Sequence, residues 1–154
     1  MASVITEEAR TAGATVIVND RADVARLANA DGVHVGQDDL PVGLARTIVG
    51  GDAMVGLSTH TNEQIESGVA APISYLAVGP VFDTSTKATG YSPVGLDGVR
   101  LAVERARRRS LPVVAIGGIT LETAREVIEA GAASAATRSA ASEPIYSVSR
   151  DPTP

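Results

Sequence analysis

The chain has 154 residues, 44% of them hydrophobic and 20% charged, with a formal net charge of −5 and no cysteine; this fits one soluble domain with an ordinary core. The acidic balance argues against a nucleic-acid partner, and the lack of cysteine excludes disulfides and thiolate metal sites. The longest apolar stretch, around Leu111 to Ile119, is broken by glycines and far short of the ~18 residues a membrane span needs, and the N-terminus has no basic-then-apolar signal, so a cytoplasmic location is expected.

In chain order, Ser3 to Ala12 with Gly13 behind it reads as the last part of a helix, and Thr15 to Val18 as a strand running into Asn19-Asp20. Gly32 to Val35 is the next strand and runs into Gly36-Gln37-Asp38-Asp39; Pro41 is then expected as the first residue of a helix capped by Asp39 or Leu40, with Val42, Ala45 and Val49 inward. Ala53 to Leu57 is a third strand, followed by Ser58-Thr59-His60 and by Thr61-Asn62-Glu63-Gln64, a capping-box pattern. The strand Ser74 to Val78 leads into Gly79-Pro80-Val81-Phe82-Asp83-Thr84-Ser85-Thr86-Lys87, and the long connection from Phe82 to Pro93 suits a functional loop. Leu96, Val99, Val103 and Ala106 share one helical face, and Arg105 with Arg107-Arg108-Arg109 falls at that helix's C-terminus, where cations are favoured. Pro112 to Ile116 is a fifth strand, followed by Gly117-Gly118 and a helix capped by Thr120, carrying Ala124, Val127 and Ile128 until Gly131 stops it. Beyond Gly131, the stretch Ala132 to Arg138 has no β-branched aliphatic residue, and Ser142 to Pro154 is polar and proline-spiked, so a weak last strand and a poorly ordered tail are expected.

Short β-branched runs alternating with helical patterns predict a parallel sheet of βα units. The polar residues Asn19, Asp20, Gln37, Asp39, Ser58, Thr84, Thr86, Lys87, Gly117 and Gly118 all follow carboxyl ends of strands, the active face of a βα-barrel. Hydroxyls, backbone N–H groups and one ammonium between Gly79 and Lys87 make an anion site, which points to a phosphorylated ligand. Asp20 and Asp39 on adjacent strand ends suit one Mg²⁺, which typically takes one or two carboxylates with phosphate oxygens and waters; each is equally readable as a helix N-cap. Gly117-Gly118 before a helix offers N–H donors to a phosphate, and a tight turn requires the same residues. Ser58 with His60 invites a nucleophilic reading, but no Gly-x-Ser-x-Gly elbow surrounds the serine, and a hydrogen bond from Ser58 to substrate is the milder expectation. His34 is expected as a packed, hydrogen-bonded strand residue.

From Val16 to Ala132 the chain resembles the thiamine phosphate synthases. The resemblance rests on Val18-Asn19-Asp20-Arg21, Asp31-Gly32-Val33-His34-Val35-Gly36-Gln37-Asp38-Asp39, Gly56-Leu57-Ser58-Thr59-His60, Gly79-Pro80-Val81-Phe82 with Thr84-Ser85-Thr86-Lys87, and Ala115-Ile116-Gly117-Gly118-Ile119. It implies a TIM-type βα-barrel and a transferase that joins 4-amino-2-methyl-5-pyrimidinylmethyl diphosphate to thiazole phosphate. Asp20 and Asp39 match the Mg²⁺ ligands; Asn19, Ser58 and Lys87 match contacts to the pyrimidine diphosphate, with Ser58 and Lys87 also the catalytic pair. Thr84, Ser85 and Thr86 match the stretch that meets the thiazole phosphate, Gly118 its phosphate-binding glycine and Ser139 a later phosphate-binding serine.

Against that pattern the barrel is incomplete. About six of eight strands are expected, the first two missing together with a Gln-x-Arg-x-Lys segment and the last one weak, so that residues 1–141 form a partial barrel and 142–154 a tail. Ala133 stands where the family usually has Asp, and Arg138 where it has an aliphatic residue. Open sheet edges predict self-association. The competing readings are a non-catalytic remnant that binds a phosphorylated ligand, and the related thiazole tautomerase with His60 or a neighbour as base.

Overall fold

Strand and helix alternate from Ala2 to Thr137. The structure is a computed structural model that describes residues 1–84, 90–137 and the backbone of 146–149. Two compact units are distinguished, unit 1 comprising Met1–Ser58 with Ala70–Tyr75 and unit 2 comprising Thr59–Val69 with Leu76–Pro154.

Unit 1 holds helix α1 (Ala2–Thr11), strand β1 (Ile17–Asn19), helix α2 (Ala22–Leu27), strand β2 (Gly32–Val35), helix α3 (Val42–Val49) and strand β3 (Met54–Thr59) up to Ser58. The three strands are parallel neighbours in chain order, with Ile17, Gly32 and Met54 in one row and Asn19, His34 and Gly56 two rows further along. Because side chains alternate across a strand, Val33, Val35 and Val55, all fully buried, lie on one face while His34 and Ser58 lie on the other. Arg46 of α3 ties the unit together. Its guanidinium donates to the carbonyls of Gly50 at 3.0 Å, Gly51 at 3.2 Å and Pro72 at 3.3 Å, to that of Ala53, and to Ser74 Oγ at 3.1 Å.

Unit 2 holds helix α4 (Asn62–Ala70) up to Val69, strand β4 (Tyr75–Val78) from Leu76, helix α5 (Gly95–Arg107), strand β5 (Val113–Ile116), helix α6 (Leu121–Glu129), strand β6 (Ser134–Thr137) and strand β7 (Tyr146–Ser149). Strands β4, β5 and β6 are parallel neighbours, and β7 pairs antiparallel with the far edge of β6. Val99, Ala102 and Ala106 of α5 and Ala124 and Val127 of α6 are buried. The basic run at the end of α5 is structural in part: Arg105 pairs with Glu66 at 2.7 Å and Arg109 donates to the carbonyl of Val69.

Three local expectations change. Pro41 is itself the N-cap of α3, with ψ 135, and no side chain caps that helix, so neither Asp39 nor Leu40 does. The Thr61 box is shared with a neighbour: Gln64 N–H donates to Thr61 Oγ1 at 3.3 Å, while Gln64 Oε1 accepts from the N–H of His60 at 2.7 Å. Ser134–Thr137 is a regular strand despite its alanines, because β5 supplies the ladder, and Ala135 is 0% exposed. The β6 edge that the sequence leaves open is paired along its length by β7.

Candidate functional site

In unit 1 the polar groups gather at the carboxyl ends of β1, β2 and β3. Asp20 follows β1 with φ 63, a left-handed conformation that Asp tolerates better than most residues, and its N–H donates to the carbonyl of His34 at 2.8 Å. This turn leaves Asn19 and Asp20 exposed, and the N-cap of α2 is Arg21, so Asp20 is not a helix cap. Asp39 closes the loop after β2, its Oδ2 accepting from the N–H of Gly36 at 2.7 Å. One carboxylate oxygen of Asp39 is thus engaged by its own loop, and the side chain as a whole is exposed.

Ser58 sits at the end of β3, half-buried, two residues beyond Gly56. Its Oγ lies 2.8 Å from His34 Nε2, and its carbonyl accepts from Gln37 Nε2 at 2.6 Å. His34 Nδ1 in turn lies 2.9 Å from Tyr75 Oη, with the two rings stacked at 5.6 Å between centroids. Gly56 makes this possible, since a Cβ there would overlap the Tyr75 ring. Burial pushes the Tyr75 phenol up to about 12.

In unit 2 the described strand ends are tied together largely through backbone groups. Thr59 Oγ1, fully buried, donates to the carbonyl of Ala77 at 2.8 Å, and the N–H of Gly79 donates to the carbonyl of Thr59 at 3.1 Å. The Gly79-Pro80 bond is cis. From Val81 and Phe82 the chain bonds back to Ile116 and Gly117 at 3.0 to 3.1 Å. Gly117 and Gly118 have φ 91 and 68, and a Cβ on Gly118 would stand 2.5 Å from the carbonyl oxygen of Phe82 and 2.7 Å from that of Asp83. Glycine is therefore required twice over at Gly118, by conformation and by close approach. His60 donates through Nδ1 to the carbonyl of Gly79 and stacks on Tyr91 at 4.2 Å.

Of the residues singled out from the sequence, Asn19, Asp20, Asp39 and Ser58 belong to unit 1, and Thr84, half-buried, and Gly118 to unit 2. Ser85, Thr86, Lys87 and Ser139 lie outside the described residues. Ser58 meets a histidine, but it is His34 from the neighbouring strand, not His60, whose Nδ1 is committed to Gly79. Tyr75 was not identifiable as a site residue from sequence. The one signal was Gly56 inside an apolar strand, which marks a place where another group approaches closely.

Among the described residues no group of three or more His, Asp or Glu side chains is arranged to hold a metal, and no helix is long and apolar enough to cross a membrane. A hard cation at the β1 and β2 ends would thus rest on Asp20 and Asp39 together with ligand oxygens, a donor set of the kind Mg²⁺ accepts.

Comparison with known proteins adds a family. Residues 1–141 match the model described as thiamine monophosphate synthase. Over 130 residues the chain is 52% identical to the thiamine-phosphate synthase of Acidothermus cellulolyticus, covering 84% of this chain and 60% of the relative. Over 123 residues it is 48% identical to that of Chloroflexus aurantiacus, covering 80% and 55%. The solved thiamine phosphate pyrophosphorylase of Pyrococcus furiosus superposes with a TM-score of 0.75 at 34% identity, covering 85% of this chain and 60% of that one. The chain thus spans about 60% of the length of the Acidothermus relative.

Proposed function

The chain belongs to the thiamine monophosphate synthase family, and we propose that the protein condenses 4-amino-2-methyl-5-pyrimidinylmethyl diphosphate with thiazole phosphate, giving thiamine phosphate and diphosphate. The observation that supports this reading most is the row of polar residues at the carboxyl ends of β1 to β3, in a chain 52% identical to a thiamine-phosphate synthase. Asn19 and Ser58 would hold the pyrimidine diphosphate, and Lys87 would meet its leaving oxygens. Thr84, Ser85, Thr86, Gly118 and Ser139 would hold the thiazole phosphate.

Asp20 and Asp39 would hold Mg²⁺, which when bound supplies positive charge to the diphosphate oxygens. The carbon–oxygen bond to diphosphate breaks, the leaving group carries off the electron pair, and the thiazole nitrogen forms the new carbon–nitrogen bond to the pyrimidinylmethyl carbon. The chain's own side chains act by positioning and charge stabilisation, with no covalent intermediate on the protein. The same reading takes β1 to β6 as six of the eight strands of a βα-barrel, a view supported by the 60% coverage of relatives. It places the protein in the cytoplasm with soluble phosphorylated substrates, and predicts self-association through the edge of β1, whose pairing among the described residues is with β2.

The test is direct: purified protein incubated with both substrates and Mg²⁺ should form thiamine phosphate and release diphosphate, and should not do so with a chelator. Binding of thiazole phosphate by calorimetry without product would instead favour a ligand-binding protein. Sedimentation as a monomer across a concentration series would remove the self-association.

A further inference from the structure

An unbroken chain of polar contacts in unit 1 runs from Tyr75 Oη to His34 Nδ1 at 2.9 Å and from His34 Nε2 to Ser58 Oγ at 2.8 Å. We infer that Tyr75 and His34 are positioning residues that fix the Ser58 hydroxyl as a hydrogen-bond donor toward its ligand, and thereby keep it from acting as a nucleophile. The inference deepens the proposed function and rests on it only for the identity of the ligand, the pyrimidine diphosphate.

The argument follows the hydrogens. The Tyr75 phenol is half-buried and raised to about 12 by burial, so it stays protonated through the neutral range. A partly shielded hydroxyl hydrogen favours a protein acceptor, and His34 Nδ1 lies within hydrogen-bond reach to accept it. If Nδ1 accepts, the single hydrogen of the neutral imidazole resides on Nε2. Nε2 then donates to Ser58 Oγ. The serine oxygen is an acceptor in that contact, so its own hydrogen is directed elsewhere, toward an acceptor on the ligand. A serine nucleophile needs the opposite sense, with a bare histidine nitrogen receiving the serine hydrogen. The three residues look like a nucleophile, a base and an orienting group, but with a phenol in the orienting place the tautomer is reversed.

The sequence builds this chain at one place. Register pairs His34 with Gly56, and the missing side chain there opens the slot occupied by the Tyr75 ring. Ser58, two residues further along β3, falls on the same face within reach of Nε2.

The histidines provide an internal control. The chain has two, and His60 donates from Nδ1 to the carbonyl of Gly79, which can only accept. Nitrogen-15 NMR of the imidazole rings, assigned with His60→Gln, should therefore display opposite tautomers: Nε2–H for His34 and Nδ1–H for His60. In Tyr75→Phe, His34 should lose its single tautomer, and KM for the pyrimidine diphosphate should rise by roughly three- to tenfold, with kcat changed less than about twofold. Adding Tyr75→Phe to Ser58→Ala should do no further damage, since the two act through one contact.

An Nδ1–H tautomer at His34 in the unaltered protein overturns the inference, even if thiamine phosphate is made. So does covalent labelling of Ser58 by a fluorophosphonate. The Nε2–H tautomer sustains it even where no thiamine phosphate forms, and because that spectrum comes from the unaltered protein, it decides the matter should Tyr75→Phe fail to fold.

Discussion

The two units build their described strand ends from different materials. In unit 1 the strand ends present side chains, with Asn19, Asp20, Asp39 and Ser58 in reach of solvent and His34 and Tyr75 behind them. In unit 2 they present backbone, with Gly79, Gly117 and Gly118 packed so closely against Ile116, Pro80 and Phe82 that no side chain fits. The contrast teaches that a carboxylate or hydroxyl can be exchanged with the fold left standing, whereas a backbone donor is inseparable from the turn that creates it. Substitutions of the exposed unit 1 side chains should mainly change chemistry, and substitutions of the unit 2 glycines should mainly change stability.

The largest expected effect is on the unit 1 side. Asp20→Asn keeps a residue that tolerates φ 63 and removes one negative charge. Turnover in Mg²⁺ should fall roughly a hundredfold, the scale of losing one preorganised electrostatic contact, with the melting temperature almost unchanged. Unchanged turnover would take this carboxylate out of the proposed metal site and break the contrast.

Next comes Gly118→Ala, where the added methyl meets the Phe82 and Asp83 carbonyls and the backbone is held at φ 68. Strain of that kind costs about 1–3 kcal/mol, and urea denaturation should report it together with weaker thiazole phosphate binding. Full stability with binding alone impaired would instead make Gly118 a chemical residue like those of unit 1.

A smaller loss, about 1 kcal/mol, is expected for Thr120→Ala, which removes the reciprocal Thr120 and Thr123 cap of α6. Thermal melts should register it with turnover per folded molecule unaffected, and a large drop in turnover would mean that α6 is held at its functional position by this cap.

The smallest concerns acid. A hydrogen bond from the Arg21 guanidinium at 2.5–2.8 Å holds Asp23 down to about 2. A carboxylate lowered by folding adds stability above its unfolded value of ~3.9, and that stability is lost as the pH falls toward 2. Because the pair is exposed and screened by salt, the contribution is slight. Asp23→Asn should flatten the acid limb of the stability curve between about pH 4 and 2 by an amount that vanishes in high salt. A difference persisting at neutral pH and high salt would contradict this account.

Much of this was legible in the residues. The strand Gly32 to Val35 has the bounds its β-branched run suggests, Thr120 caps α6 as its position before the apolar pattern implies, and Arg105 lies at a helix end where it meets Glu66. Ser134–Thr137 was harder to read, because its strand character comes from β5 alongside and not from its own alanines. Asp20 and Asp39 read equally well as caps or as ligands, and the backbone removes the cap reading by starting α2 after Arg21 and α3 after Pro41. The His34 partner of Ser58 was hidden by distance in sequence, 24 residues away, while the adjacent His60 drew attention and is turned to Gly79.

The sequence by itself determined the alternation of strand and helix, the polar character of the strand ends and the family, because periodicity, caps and turn residues act over a few positions and survive without knowledge of the rest. Only the tertiary structure decided which side chain meets which: that Gly56 yields its place to Tyr75, that Tyr75 and Ser58 take opposite nitrogens of His34, and that Gly118 lies under the Phe82 and Asp83 carbonyls. Those contacts depend on the register between neighbouring strands and on approach distances of about 3 Å, which no local pattern encodes.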